Sequence, residues 1–199
     1  MQRIAQVKRI TNETSIFVCV NLEGSGSYDV STGIGLLDHM LEQLSCHSLI
    51  DLTVNGCGDL HVDDHHTIED SGYAVGSAVS QALGERRGIT RYGYCILPMD
   101  DALTRVAIDL SGRSFLSWNV KLPTQKIGTL DTELFKEWFR AFTQNVGATV
   151  HIDNLKGENS HHIVETCFKG LAYAMRAAVE INLRKSNSLA STKGNLKIG

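Results

Sequence analysis

The sequence predicts an α/β fold of the α+β kind, built by duplicating one strands-helix-strand-helix unit. Three observations point there. Short runs rich in β-branched and aromatic residues alternate with longer stretches whose apolar residues recur at helical spacing. The order of these stretches is the same in both halves of the chain. The unusual string His-His-x-x-Glu also occurs twice, in "DDHHTIEDSG" from Asp63 and in "ENSHHIVETC" from Glu158. The expected halves are residues 1–92 and 93–199, forming one compact duplicated unit.

In the first half, "IAQVKRI" and "SIFVCVNL" are β-rich runs separated by "TNET", a hairpin pattern. "GIGLLDHMLEQLSCH" sets Leu37, Met40, Leu41 and Leu44 at helical spacing. "LIDLTVNG" alternates and ends in Asn-Gly, which predicts a strand and then a turn. "HHTIEDSGYAVGSAVSQALGERRG" is a long amphipathic helix, with Asp63 or Asp64 to cap it and Gly88 to close it. In the second half, "YGYCILPM", "TRVAIDLS" and "SFLSWNVKL" read as strands. "TELFKEWFRAFTQNVG" is a helix with Leu134, Phe135, Trp138 and Phe142 on one face. "TVHIDNL" is a strand, and "SHHIVETCFKGLAYAMRAAVEINLRK" a long helix.

Bulk properties exclude several classes. With 42% hydrophobic residues the chain can bury a sizeable core, which argues against disorder. Net charge is −3 without a basic stripe, so nucleic acid is not an expected partner. No apolar run is long enough to span a bilayer, and "MQRIAQVKRITNETS" has no signal-peptide core. Five cysteines without a C-x-x-C suit reduced thiols, so a cytoplasmic location is expected. The tail "RKSNSLASTKGNLKIG" reads by composition as a frayed terminus.

The repeat brings further residues into register. "LLDHML" lies over "LFKEWF", placing His39 opposite Glu137. His65 follows His39 by 26 positions and His161 follows Glu137 by 24, so a short loop gap reconciles the copies. On a helix, His65 and Glu69 share a face at i and i+4, as do His161 and Glu165. His66 and His162 point about 100° further round and must serve something else. Adjacent histidines feeding two ions satisfy this geometry. Pseudo-symmetry then gives one set of His65, Glu69, His162 and Glu137, and another of His161, Glu165, His66 and His39. Imidazole and carboxylate without thiolate suit Mn²⁺, Fe²⁺ or Zn²⁺ rather than a structural cysteine site. A single His-His pair is more often surface decoration; two copies inside a repeat reverse that reading. Lys169, one turn after Glu165, faces the same way and either reaches a substrate or is simply solvated; Gln43 and His47, on and just past the first short helix, either line the same pocket or are helix-end polar residues. A two-metal phosphoesterase and a non-catalytic metal-stapled cage are the rival readings, but phosphoesterases favour bridging carboxylates.

Five segments in order, "GLLDHML", "HHTIED", "DLSGRS", "ENSHHIVE" and "STKG", resemble the imidazoleglycerol-phosphate dehydratases, enzymes of histidine biosynthesis. The resemblance runs from about Glu13 to Lys193. It implies two mixed four-stranded sheets flanking a four-helix layer. It implies two Mn²⁺ ions per active site and a homo-oligomer of 24 subunits with sites built at subunit contacts. It also implies dehydration of D-erythro-imidazole glycerol phosphate to imidazole acetol phosphate, by way of an imidazolate and a diazafulvene. Glu13 matches the family's candidate position for proton shuttling, and His47, Glu165 and Lys169 are the further catalytic candidates. Arg91, Arg113 and Lys193 match its phosphate-binding positions, with Ser191 and Thr192 adding donors. Plant relatives carry histidine where Glu137 stands. A substrate-binding Lys193 makes the polar tail an ordering element.

Overall fold

A computed structural model describes residues 3–186, 188–192 and 196. The first half runs β1 (Ile4–Ile10), β2 (Thr14–Asn21), β3 (Tyr28–Ser31), α1 (Gly35–Ser48), β4 (Asp51–Gly58) and α2 (His65–Leu83). The second runs β5 (Tyr92–Met99), β6 (Ala102–Asp109), β7 (Phe115–Asn119), a small hairpin of β8 (Lys126–Ile127) and β9 (Leu130–Asp131), α3 (Glu133–Val146), β10 (Thr149–Lys156) and α4 (Ser160–Val179). The sheets have orders β1-β2-β4-β3 and β5-β6-β10-β7. In each, three strands pair antiparallel and the last pairs parallel, β3 with β4 and β7 with β10. The predicted duplication is therefore present strand for strand, with the β8–β9 hairpin added to the second copy.

The sheets turn one face to the helices. Ile16, Val18 and Val20 of β2 are buried, as are Val106 and Ile108 of β6, while alternate residues face outward. Among the helices, α2 packs on α3 and α1 on α4. The α2–α3 contact is made close by Gly72 and Gly76, whose absent Cβ atoms would lie 2.6 Å from the carbonyl oxygens of Trp138 and Phe142. Trp138 stacks on Phe142, and Phe139 meets Phe168 of α4 with ring centroids 4.7 Å apart, so aromatic packing ties α3 to α4.

Several local expectations change. Asn55-Gly56 is not a turn: β4 continues to Gly58, paired with β2 throughout. Gly56 lies under Ile16, where a Cβ would come within 3.2 Å of the Ile16 Cδ1, so this glycine serves a close approach. Helix α2 ends at Gly84 (φ 52°), not Gly88. The early stop lets buried Arg86 donate to the carbonyls of Val146 and Gly147 and so cap α3. Gly88 instead sits against Ser186, where a Cβ would be 2.4 Å from its carbonyl oxygen. Of the two capping candidates, Asp63 is the one that accepts the His65 N–H, at 2.9 Å. Helix α4 stops at Val179, short of the predicted run. The tail is not frayed as far as Ala190: Arg87 bridges Leu189, and Arg91 holds the Ala190 carbonyl.

Candidate metal centre

Two helical stripes meet between α1 and α4. His39, Gln43 and His47 lie at successive i, i+4 positions on α1; His161, Glu165 and Lys169 do so on α4. The Nε2 atoms of His161 and His39 lie 3.1 and 3.7 Å from Glu165 Oε2, and their rings stack at 5.8 Å. These three residues, alone among the described residues, bring ligand atoms from at least three side chains within 4.8 Å of one another. Two imidazole nitrogens and one carboxylate oxygen facing a common point fit a divalent transition ion.

Helix α4 begins sharply because the Asn159 side chain accepts from the N–H groups of His161 and His162. Glu165 is 7% exposed, and its Oε1 pairs with Lys169 Nζ at 2.7 Å. Burial raises its pKa, but Lys169, His39 and His161 outweigh burial and hold the carboxyl below its ordinary value. Burial and then the charge of Lys169 lower the pKa of His47, whose ring stacks on Tyr173 at 5.6 Å. Gln43 lies half-buried between the two histidines.

The pseudo-symmetric cluster lies between α2 and α3. His65 Nε2 is 3.9 Å from Glu69 Oε2. Arg140 Nη2 stands between the carboxylates, 3.6 Å from Glu69 and 3.2 Å from Glu137. Glu137 is thus a neighbour of Glu69, as the repeat alignment implies, and not a solitary surface carboxylate. Arg140 was not anticipated: its spacing from Glu137 is visible in the sequence, but its reach to α2 is not.

The other two histidines stand with carboxylates of their own. His66 Nδ1 lies 3.1 Å from Asp59 and 3.7 Å from Glu13 at the β1–β2 tip. His162 Nδ1 lies 2.6 Å from Asp101, in the β5–β6 turn. In each case the aspartate hydrogen bond is the main cause of a raised histidine pKa. Within one chain, then, His66 does not join His39, His161 and Glu165, and His162 does not join His65 and Glu69.

Two of the expected anion-binding cations, Arg91 and Arg113, share one patch. Arg91 makes a two-point pair with Asp109, at 2.7 and 3.0 Å, and donates to Ala190 O at 2.6 Å. Arg113 is exposed, its Nη2 lying 3.8 Å from Asp109. Asp109 and the Ala190 carbonyl thus bring Arg91, Arg113 and the segment leading to Ser191 and Thr192 together. Lys193 lies outside the described residues. Asp109 stands in the quoted "DLSGRS" string, but its role as the shared anchor depends on contacts the sequence does not reveal.

The imidazoleglycerol-phosphate dehydratase family model matches residues 32–175. Imidazoleglycerol-phosphate dehydratases from Ruegeria sp. and Magnetococcus marinus are 60% and 56% identical to the chain. Each alignment covers 98% of the chain, and 100% and 99% of those relatives. The crystal structure of the dehydratase from Staphylococcus aureus superposes with TM-score 0.82 at 36% identity, over 90% of this chain and 99% of that one. That from Pyrococcus furiosus gives 0.83 at 35%, over 96% and 100%. On sequence, fold and full-length coverage together, the chain belongs to the imidazoleglycerol-phosphate dehydratases, hydro-lyases of histidine biosynthesis.

Proposed function

We propose that the chain dehydrates D-erythro-imidazole glycerol phosphate to imidazole acetol phosphate with two bound Mn²⁺ ions, in sites completed where subunits of a 24-subunit homo-oligomer meet. The observation that carries this is the pair of helical His/Glu grips, His161–Glu165 and His65–Glu69, each with a further ligand candidate on the neighbouring helix. His66 and His162 lie apart from the sets that need them in their own chain, which supports their service to a neighbouring subunit. Ions held by these residues would supply Lewis acidity to the substrate ring. Location in the cytoplasm is part of the same proposal; among the described residues no helix is long and apolar enough to cross a membrane.

The protein's own groups do the rest. Arg91 and Arg113, with Lys193, Ser191 and Thr192, hold the phosphate by charge-assisted hydrogen bonds. Gln43 and the lowered-pKa imidazole of His47 line the space beside Lys169, which Glu165 keeps in place. Glu13 is exposed at the hairpin tip, where its carboxylate can reach a neighbouring site and take the proton from the carbinol carbon. The neighbouring hydroxyl leaves as water, carrying a proton equivalent to the one that Glu13 removes, and the resulting enol tautomerises to the ketone.

Chelator-stripped protein is expected to lose dehydratase activity and regain it best with Mn²⁺. Light scattering on the same samples should show a smaller particle after stripping. A coupled dehydratase assay beside a phosphatase assay excludes a phosphoesterase. Full dehydration by the metal-free protein would contradict the proposal.

Arg113→Ala is expected to weaken substrate binding about tenfold to a hundredfold, the loss of a charge-assisted bond of ~1.5–3 kcal/mol. Its thermal stability should barely move, since the side chain is exposed. Arg91→Ala should lower both, because Arg91 also anchors Ala190. Isothermal titration and thermal melting together check the split; normal binding by the Arg113 variant would remove it from the phosphate site.

A further inference from the structure

An imidazole can present either ring nitrogen to a metal, and the hydrogen bond made by the other nitrogen decides which. His39 and His161 turn Nε2 toward Glu165, and His65 turns Nε2 toward Glu69. His66 and His162 differ, because each engages Nδ1. His66 Nδ1 lies 3.2 and 3.1 Å from the two oxygens of Asp59. His162 Nδ1 lies 2.6 Å from Asp101 Oδ1, well inside hydrogen-bond distance, whereas its Nε2 lies 3.8 Å from the exposed Asp100 Oδ2, beyond it. An ionised carboxylate only accepts, so the ring proton belongs on Nδ1 and the lone pair on Nε2.

We infer that Asp59 and Asp101 are positioning residues that fix the tautomer and ring direction of His66 and His162, so that each presents Nε2 to an ion. This rests on the two-metal reading above. Neither aspartate belongs to a His-His-x-x-Glu string, and the duplication does not relate them. Asp59 follows β4 and precedes α2, whereas Asp101 sits in the turn between β5 and β6. The residue that stands six before His161, as Asp59 stands six before His65, is Leu155. The residue that the repeat sets opposite Asp101 is Glu13, which lies 3.7 Å from His66 Nδ1, but Asp59 is the nearer carboxylate at 3.1 Å and so the partner that holds this ring.

The two aspartates are held differently, which sharpens the test. Asp101 Oδ2 accepts main-chain N–H groups of Glu158 and Asn159, at 2.5 and 2.9 Å. In an Asp101→Asn variant those donors claim the amide oxygen. The amide nitrogen is left facing His162 Nδ1 with its hydrogens, and the ring proton is driven to Nε2. That places a proton on the atom meant for the metal. Both Asp59 oxygens face His66, so in Asp59→Asn the amide can turn its oxygen to Nδ1–H and keep the tautomer. Asparagine at the two positions should therefore have unequal effects.

The experiment uses full-length protein labelled with ¹⁵N-histidine, stripped of metal, at a pH where the rings are neutral. Ring nitrogen shifts of His162 are assigned by their loss in His162→Gln. Manganese affinity is measured on the same preparations from the free-Mn²⁺ electron paramagnetic resonance signal. The wild type should show His162 protonated on Nδ1. Asp101→Asn should show it protonated on Nε2 and bind one of its two ions about 10–100-fold more weakly, the usual cost of losing such a partner. Asp59→Asn should lose distinctly less. A purely structural role for Asp101 would change melting temperature without moving the proton. Wild-type His162 protonated on Nε2 overturns the inference, and the wild-type spectrum decides this even where a variant folds poorly. So does a folded Asp101→Asn protein that keeps both ions at wild-type affinity, and in that case the two-metal reading stands. A wild type that takes up no manganese brings down that reading and this inference together.

Discussion

Replacing Glu165 with glutamine is expected to abolish dehydration and release one ion while leaving the protein folded. Glu165 links three members of its cluster: Oε2 faces His39 and His161, and Oε1 pairs with Lys169. Glutamine preserves shape but removes the charge that offsets Lys169 and an incoming cation. Loss of an outer-shell partner typically costs about 10–100-fold in metal affinity or activity, and a directly ligating carboxylate should cost more. His65, Glu69 and Glu137 lie on the other helix pair and should keep their ion. Metal analysis beside circular dichroism checks this; a variant with two ions and normal turnover would remove Glu165 from the site.

The largest structural effect is expected for Gly72→Val. Its new side chain would meet the Trp138 carbonyl oxygen, 2.6 Å from the ideal Cβ, with Ala141 Cβ at 3.2 Å. Overpacking typically costs ~1–3 kcal/mol, and here the obstacle is the backbone of α3, which cannot swing aside as a side chain can. A loss of about 3 kcal/mol lowers the melting temperature by roughly 6–12 °C in a chain of this size. The two helices also carry Glu69 and Glu137, linked through Arg140, so parting them should loosen that ion before global unfolding. Thermal melts of stripped and Mn²⁺-loaded protein test it. A variant as stable as the wild type would mean that α2 and α3 can separate freely.

How much of this was readable beforehand depended on whether the cause was local. The i, i+4 grips of His65–Glu69 and His161–Glu165 follow from helical periodicity alone. Placing Glu137 near Glu69 needed only the repeat, since both copies fold the same way. Arg140, Asp59 and Asp101 act across elements, and no spacing rule links a loop aspartate to a histidine on another element. The same limit explains Asn55-Gly56. As a dipeptide it signals a turn, but eight ladder pairs with β2 and the approach of Ile16 keep it extended. Gly88 follows the basic pair Arg86-Arg87, the pattern of a helix stop, but Arg86 is buried against α3 and the helix ends earlier, at Gly84. Strand β3, four mostly exposed residues on a sheet edge, lacks the alternation that marks the longer strands.

The central claim is that two copies of one motif serve two separate ions. It is tested most directly by metal stoichiometry measured beside turnover for His39→Ala, Glu137→Ala and Glu137→His. His39→Ala should lose the ion of His161 and Glu165 and keep the other; Glu137→Ala should lose the ion of His65 and Glu69 and keep the first. Both should be inactive, because the proposed reaction uses both ions. Glu137→His should keep two ions and activity, since an imidazole nitrogen can replace a carboxylate oxygen. Two ions and a normal rate in Glu137→Ala would contradict the account, and would leave Glu137 only the partner of Arg140.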